Sequence, residues 1–116
     1  MMVSNQFLLN MNFRYMRTLL FFDLPVLTSK NRRDYRKFVK DIKKTGFYRL
    51  QESVFVKMSI DYSSAKFAIQ GIKSLLPPDG SIFCITITEK QFSEMEVLLG
   101  DSSSEVLSSI ERFIEL

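Results

Sequence analysis

Asp23 is the residue of this chain best placed to do chemistry. It ends the run Arg17-Thr18-Leu19-Leu20-Phe21-Phe22-Asp23-Leu24, a carboxylate at the rim of an otherwise apolar segment, and Pro25 turns the chain beside it. The rest of the reactive inventory is defined by what is missing. The 116 residues include no histidine, no tryptophan and a single cysteine. Without imidazole there is no Ser-His-Asp or Cys-His nucleophile pair, no general base titrating near neutrality, and no zinc site of the usual nitrogen and sulfur ligands. Chemistry here rests on carboxylates, hydroxyls, cations or a bound metal. Cys84 lies in Ile82-Phe83-Cys84-Ile85, a setting that predicts a small buried hydrophobe. One cysteine closes no internal disulfide, which fits a reducing cytoplasm. Four scattered glycines make no phosphate-cradling loop.

Two readings of Asp23 compete. A strand-end aspartate commonly caps the loop that follows it. Alternatively, a two-fold axis near the strand end would bring two copies of Asp23 together, and paired carboxylates repel unless they share a proton or a cation. Mg²⁺ is the hard cation suited to such oxygen ligands, able to polarise a phosphodiester or activate water. One carboxylate per subunit predicts slow catalysis and loose metal binding.

The second chemical feature is a block of cations. The net charge of +3 conceals a basic segment, Lys30–Lys57, with ten Lys/Arg against three Asp/Glu, and an acidic one, Met58–Leu116, with four against nine. Thr28 and Ser29 are good N-cap residues, and a helical pattern follows from there to Thr45, stopping at Gly46. At 100° per residue, Tyr35, Phe38, Val39 and Ile42 form an apolar stripe between about 300° and 40°. Arg32, Arg33, Arg36, Lys37, Lys40, Lys43 and Lys44 fall between about 60° and 200°, while Asp34 and Asp41 lie near 240–260°. A helix of that length spans about 27 Å, the reach of about eight base pairs. The cationic flank is thus a solubilising face or a track for phosphates, following shape and charge rather than base sequence.

The elements that position these groups follow from hydrophobic periodicity. Arg17–Leu24 is apolar on both alternating faces, as in a central strand covered on each side. Phe47–Ile60 reads as extended, one long strand or two broken near Gln51–Ser53. A second helix runs from the caps at Asp61–Ser63 to Leu76, burying Ala65, Ala68, Ile69, Ile72, Leu75 and Leu76. Pro77-Pro78-Asp79-Gly80 is a turn, Ser81–Thr88 a strand, and Met95–Leu99 a further strand ending at Gly100. Asp101–Ser104 reads as a loop, and Val106–Leu116 fits both a helix and a strand.

That order gives an α+β fold, a ferredoxin-like βαββαβ antiparallel sheet with both helices on one face. Two helices cover one face only, so the other needs a lid, and a second copy of the sheet supplies it, predicting a face-to-face homodimer. Residues 1–10 read as an extension, 11–100 as the domain, and 101–116 as a loop and tail contributing to dimer or partner contacts. The longest N-terminal apolar stretch, Phe7-Leu8-Leu9, is far short of a signal or membrane-spanning segment, so no membrane partner is expected. The same fold carries RNA-recognition motifs. Thr45-Gly46-Phe47-Tyr48-Arg49 departs from their base-stacking signature after the Gly-Phe pair.

Four stretches together resemble one family: RYMRTLLFFDLP (Arg14–Pro25), RRDYRKF (Arg32–Phe38), GFYRLQESVFVK (Gly46–Lys57) and TITEKQF (Thr86–Phe92). They are similar to the second of the two universal CRISPR adaptation proteins, the small subunit of the spacer-acquisition machinery, most of all in its type II systems. The resemblance implies a ferredoxin-like homodimer with an extra C-terminal strand crossing to the partner sheet. It makes Asp23 the catalytic residue and Mg²⁺ ligand of a metal-dependent endonuclease. It also implies that the dimer bridges two integrase dimers and holds the duplex middle of a double-stranded DNA prespacer. RNA is an alternative substrate, as in virulence-associated toxin nucleases of the same fold. Of the matched motif residues, Tyr35, Val54 and Phe55 read as structural and Arg36 as a phosphate contact, while Gln51 and Ser53 match by position.

Overall fold

The computed structural model describes residues 15–100. The expectations for residues 1–10 and for Val106–Leu116 lie outside them. The chain runs β1 (Met16–Asp23), α1 (Ser29–Lys44), β2 (Tyr48–Gln51), β3 (Val54–Ser59), α2 (Tyr62–Lys73), β4 (Ser81–Thr88) and α3 (Glu89–Ser93). The four strands form one antiparallel sheet in the order β2-β3-β1-β4. This is the ferredoxin-like βαββαβ arrangement, with the middle segment split at Glu52–Ser53 and β1 at the centre.

Local signals account for the boundaries. Thr28 caps α1, accepting from the Asn31 N–H at 3.0 Å while the Asn31 side chain accepts from the Thr28 N–H, so two unpartnered donors of the first turn are satisfied. At the other end the Phe47 N–H reaches the Ile42 carbonyl and the Gly46 N–H the Lys43 carbonyl, both at 3.1 Å. Gly46 sits at φ 102°, a left-handed conformation that ends the helix and turns Phe47 back into the core.

Alternation along β1 divides its side chains between two faces. Leu20 and Phe22 join Phe38, Val39 and Ile42 of α1, Ile72 of α2 and Phe55 of β3 in the main core. Phe22 is its hub, edge-on to Phe38 at 5.4 Å and stacked on Phe55 at 5.6 Å, and each such pair contributes about 0.5–1.5 kcal/mol beyond burial. The opposite face carries Arg17, Leu19, Phe21 and Asp23. There Leu19 packs with Val56 and with Phe92 of α3 in a smaller cluster.

Three expectations are corrected. Cys84 is exposed: β4 is an edge strand, and the helices cover the centre of the sheet rather than that edge. Met95–Leu99 forms no strand, because a strand needs a ladder partner and none of this chain's described strands pairs with it; α3 precedes it instead, started by Thr88 and Gln91 as a capping box. Leu76 is exposed, since α2 ends at Lys73 and the chain turns away. No helix among the described residues is long and apolar enough to cross a membrane.

Candidate nucleic-acid and metal site

Asp23 ends β1 on the face away from the helices, exposed, in register with Ser81 of β4. The Phe22 N–H donates to the Ser53 carbonyl at 3.0 Å and draws the β2–β3 turn alongside. Phe21, Phe22, Asp23, Ser53, Val54, Ser81 and Phe83 line an open depression of about 290 Å³. Its polar side chains are one carboxylate and two hydroxyls, all hard oxygen donors of the kind Mg²⁺ takes alongside its own waters. Among the described residues no three His, Cys, Asp or Glu side chains gather into a metal cluster. Asp23 is the one carboxylate among the residues lining the depression.

Beyond Asp23 the same face is apolar and uncovered. Phe21, Met58, Phe83 and Ile85 are 40, 41, 71 and 51 % exposed, contributed by β1, β3 and β4. Phe21 and Phe83 lie directly opposite each other in the ladder, with the Asp23–Ser81 pair next to them on that face. Met95, Val97, Leu98 and Leu99 roof a second hollow of about 430 Å³ over Leu19, Leu50 and Val54 and are themselves exposed.

The seven predicted cations of α1 separate into two groups. Arg33, Arg36, Lys40, Lys43 and Lys44 are exposed and make no ion pair among the described residues. Arg32 is turned inward on its own loop, its Nη1 donating to the Val26 and Leu27 carbonyls at 3.1 and 3.2 Å. Lys37 donates to Asp41 at 2.7 Å, one turn on, so the acids are less separate from the cationic flank than the helical projection implies. That hydrogen bond holds the Asp41 carboxyl below the usual carboxylate range; desolvation opposes it, and the charges of Lys37, Lys44 and Lys40 add to it. A carboxyl lowered in this way stabilises the fold above its ordinary range, and the contribution fades as pH falls through the lowered value. Of the other matched motif residues, Tyr35 and Phe55 sit in or against the main core, Val54 packs against the smaller cluster, and the Tyr35 hydroxyl donates to the Glu52 carbonyl at 3.4 Å.

One polar cluster escapes a reading of the sequence by segments. Arg17 is fully buried on the open face of the sheet, and its guanidinium grips Glu89 of α3 in a fork, Nε to Oε2 at 2.6 Å and Nη2 to Oε1 at 2.9 Å. Its Nη1 donates to the Tyr48 hydroxyl at 2.7 Å, and the group lies 4.6 Å from the centre of the Phe92 ring. Nothing local pairs positions 72 residues apart. The capping box Thr88-Glu89-Lys90-Gln91 was the available sign that a helix, rather than a longer strand, carries Glu89 here.

Comparison with known proteins bears on this geometry. Residues 16–95 match the family described as CRISPR associated protein Cas2. A Treponema denticola protein named CRISPR-associated endoribonuclease Cas2 is 39% identical over 101 residues, covering 87% of this chain and 100% of its own length. A protein of the same name from Ligilactobacillus salivarius is 44% identical over 101 residues, again 87% of this chain and 100% of its own. A solved structure titled "Crystal structure of cas2" aligns with 77% of this chain and 92% of its own at 20% identity, with a TM-score of 0.49. With a family match over most of its length and relatives matched end to end, the chain belongs to the Cas2 family of CRISPR-associated proteins.

Proposed function

We propose that the chain works in CRISPR spacer acquisition as a homodimer that binds duplex prespacer DNA without sequence preference and bridges integrase dimers. The observation carrying this reading is the open apolar sheet face bordered by Asp23. Uncovered apolar patches mark interaction sites, and a face built around a central strand is self-complementary under a two-fold axis. Packing two copies there leaves α1 of each on the outside, with Arg33, Arg36, Lys40, Lys43 and Lys44 free to meet phosphates.

The same dimer supports a second reading, a Mg²⁺-dependent endonuclease acting on phosphodiesters, and the relatives named endoribonucleases favour it. Two Asp23 carboxylates facing across the axis would hold the cation, with the Ser53 and Ser81 hydroxyls beside them. A bound Mg²⁺ supplies polarisation of the phosphodiester and an activated water. Without histidine the chain offers no imidazole base, so catalysis is expected to be slow and dispensable for the scaffold role.

Sedimentation of the full chain and of Phe83→Asp tests the dimer. The wild type should sediment as a dimer and the variant as a folded monomer with weaker duplex binding; a wild-type monomer at micromolar concentration refutes the reading. Asp23→Asn should abolish metal-dependent cleavage while leaving duplex affinity within about threefold. Cleavage that survives this substitution or a chelator removes the nuclease.

A further inference from the structure

We propose that Arg32 is a positioning residue for Asp23, clamping the loop that leads from the aspartate's strand end into α1, with Gly80 as the stop beneath that loop's root. The inference rests on Asp23 being the functional carboxylate of the proposed nuclease site. Between Asp23 and α1 the chain runs through Leu24, Pro25, Val26, Leu27 and Thr28. Leu24 is buried in the main core, but the exposed part of the connection, Val26–Thr28, would normally move more than the strand it leaves. Two contacts oppose that motion from opposite ends.

At the far end the Arg32 guanidinium closes on two successive carbonyls, Val26 and Leu27, through Nη1, while Nη2 donates to the Ser29 hydroxyl at 3.4 Å. Nη1 supplies both carbonyl bonds, and the planar guanidinium fixes its donors in one plane with Nη2 turned to Ser29, a set that a rotating, strongly hydrated ammonium on a different stem does not reproduce. The first clamped carbonyl is three residues from Asp23, and Pro25 stiffens the span between them. At the near end Gly80 lies directly on the Asp23–Leu24 peptide. A Cβ there would stand 2.9 Å from the Asp23 carbonyl oxygen and 3.2 Å from the Leu24 Cα, and φ is +109°. Only glycine fits this contact without moving the backbone that carries the carboxylate. Arg32 therefore acts on the aspartate's loop and leaves phosphate binding to the unpaired cations of α1.

Amide hydrogen exchange, Mn²⁺ titration and duplex binding on the full chain test this with Arg32→Ala, Arg32→Lys and Gly80→Ala. In both Arg32 variants the Thr28 amide, which donates to Asn31 Oδ1 at 3.2 Å in the clamped loop, should exchange about tenfold faster while the core of α1 is unchanged. Paramagnetic broadening at Asp23 should need several-fold more Mn²⁺, and the salt dependence of duplex binding should stay as in the wild type. Gly80→Ala should shift the Asp23 and Leu24 resonances. A phosphate contact gives the opposite pattern: Arg32→Ala flattens the salt slope by about 0.9, Arg32→Lys restores it, and loop exchange is unchanged, which overturns the inference. Absence of wild-type broadening at Asp23 refutes the metal reading instead, and the exchange rates then still decide whether the clamp exists.

Discussion

Replacing Glu89 with alanine should remove about 3–5 kcal/mol of folding stability. The Arg17 guanidinium is fully buried, and Glu89 is its sole counter-charge among the described residues. Truncating the carboxylate leaves an uncompensated cation between a sheet and a short helix, where the Tyr48 hydroxyl and the Phe92 ring are its remaining partners among the described residues. Against the 5–15 kcal/mol that hold a typical domain together, the loss lowers the melting temperature by on the order of 15–30 °C. Urea unfolding measures it directly, and a loss under about 1 kcal/mol would mean that the pair is hydrated. The paired change Arg17→Met with Glu89→Leu should recover most of the stability, because apolar replacement of a whole buried pair is often neutral or better. Glu89→Gln, which keeps an acceptor, should fall between. The pair also ties α3 to the centre of the sheet, so loosening it should disturb the segment from Met95 to Leu99 that borders the open face.

Charge reversal of Arg36, Lys40 and Lys44 to glutamate should flatten the dependence of duplex affinity on salt by about 2.7 log units per log of salt concentration. That figure follows from a released counterion term of about 0.9 for each of three phosphate contacts. Affinity near 0.1 M salt should fall by about 10²–10³-fold. The three side chains are exposed and without ion-pair partners among the described residues, so the melting temperature should stay within a few degrees. Fluorescence anisotropy over a salt series reads both quantities, and a slope equal to the wild type's removes α1 from the interface. The same series on Lys37→Ala is a useful contrast. Lys37 is already bonded to Asp41, so its loss should change the slope less than loss of Arg36 does.

What could be read from the sequence depended on the range over which each signal acts. β4 and α1 are written in period, caps and turn residues within a few positions, and their bounds follow from those alone. The apolar character of β1 on both faces already implied a central strand, as the sheet order has it, and Phe83 and Ile85 stand exposed on the second face. Cys84 and Met95–Leu99 were misjudged for one shared reason. Coverage of an edge strand, and the existence of a ladder partner, are properties of the assembled sheet rather than of a window of residues. The candidate site was legible as Asp23 plus a cationic helix. Which of those cations remain free was not, since a helical projection cannot register that Arg32 folds back on the turn before its own helix. The Arg17–Glu89 fork lay furthest from reach because it joins the first strand to the last helix.

The position of β1 in the sheet has a consequence for how the protein is made. The most buried of the described strands is translated before its ladder neighbours, β3 and β4, and before the carboxylate that neutralises its arginine. At 5–20 residues per second the ribosome needs about 3–14 s to pass from Asp23 to Phe92. β3 becomes available to Leu19, Leu20 and Phe21 once Ser59 is made, about halfway through that interval, but the β4 side of the strand stays open until Thr88. The nascent chain thus carries its central strand unpaired at first and half-paired until almost the whole domain has been synthesised, and early docking of α1 is its first available shelter.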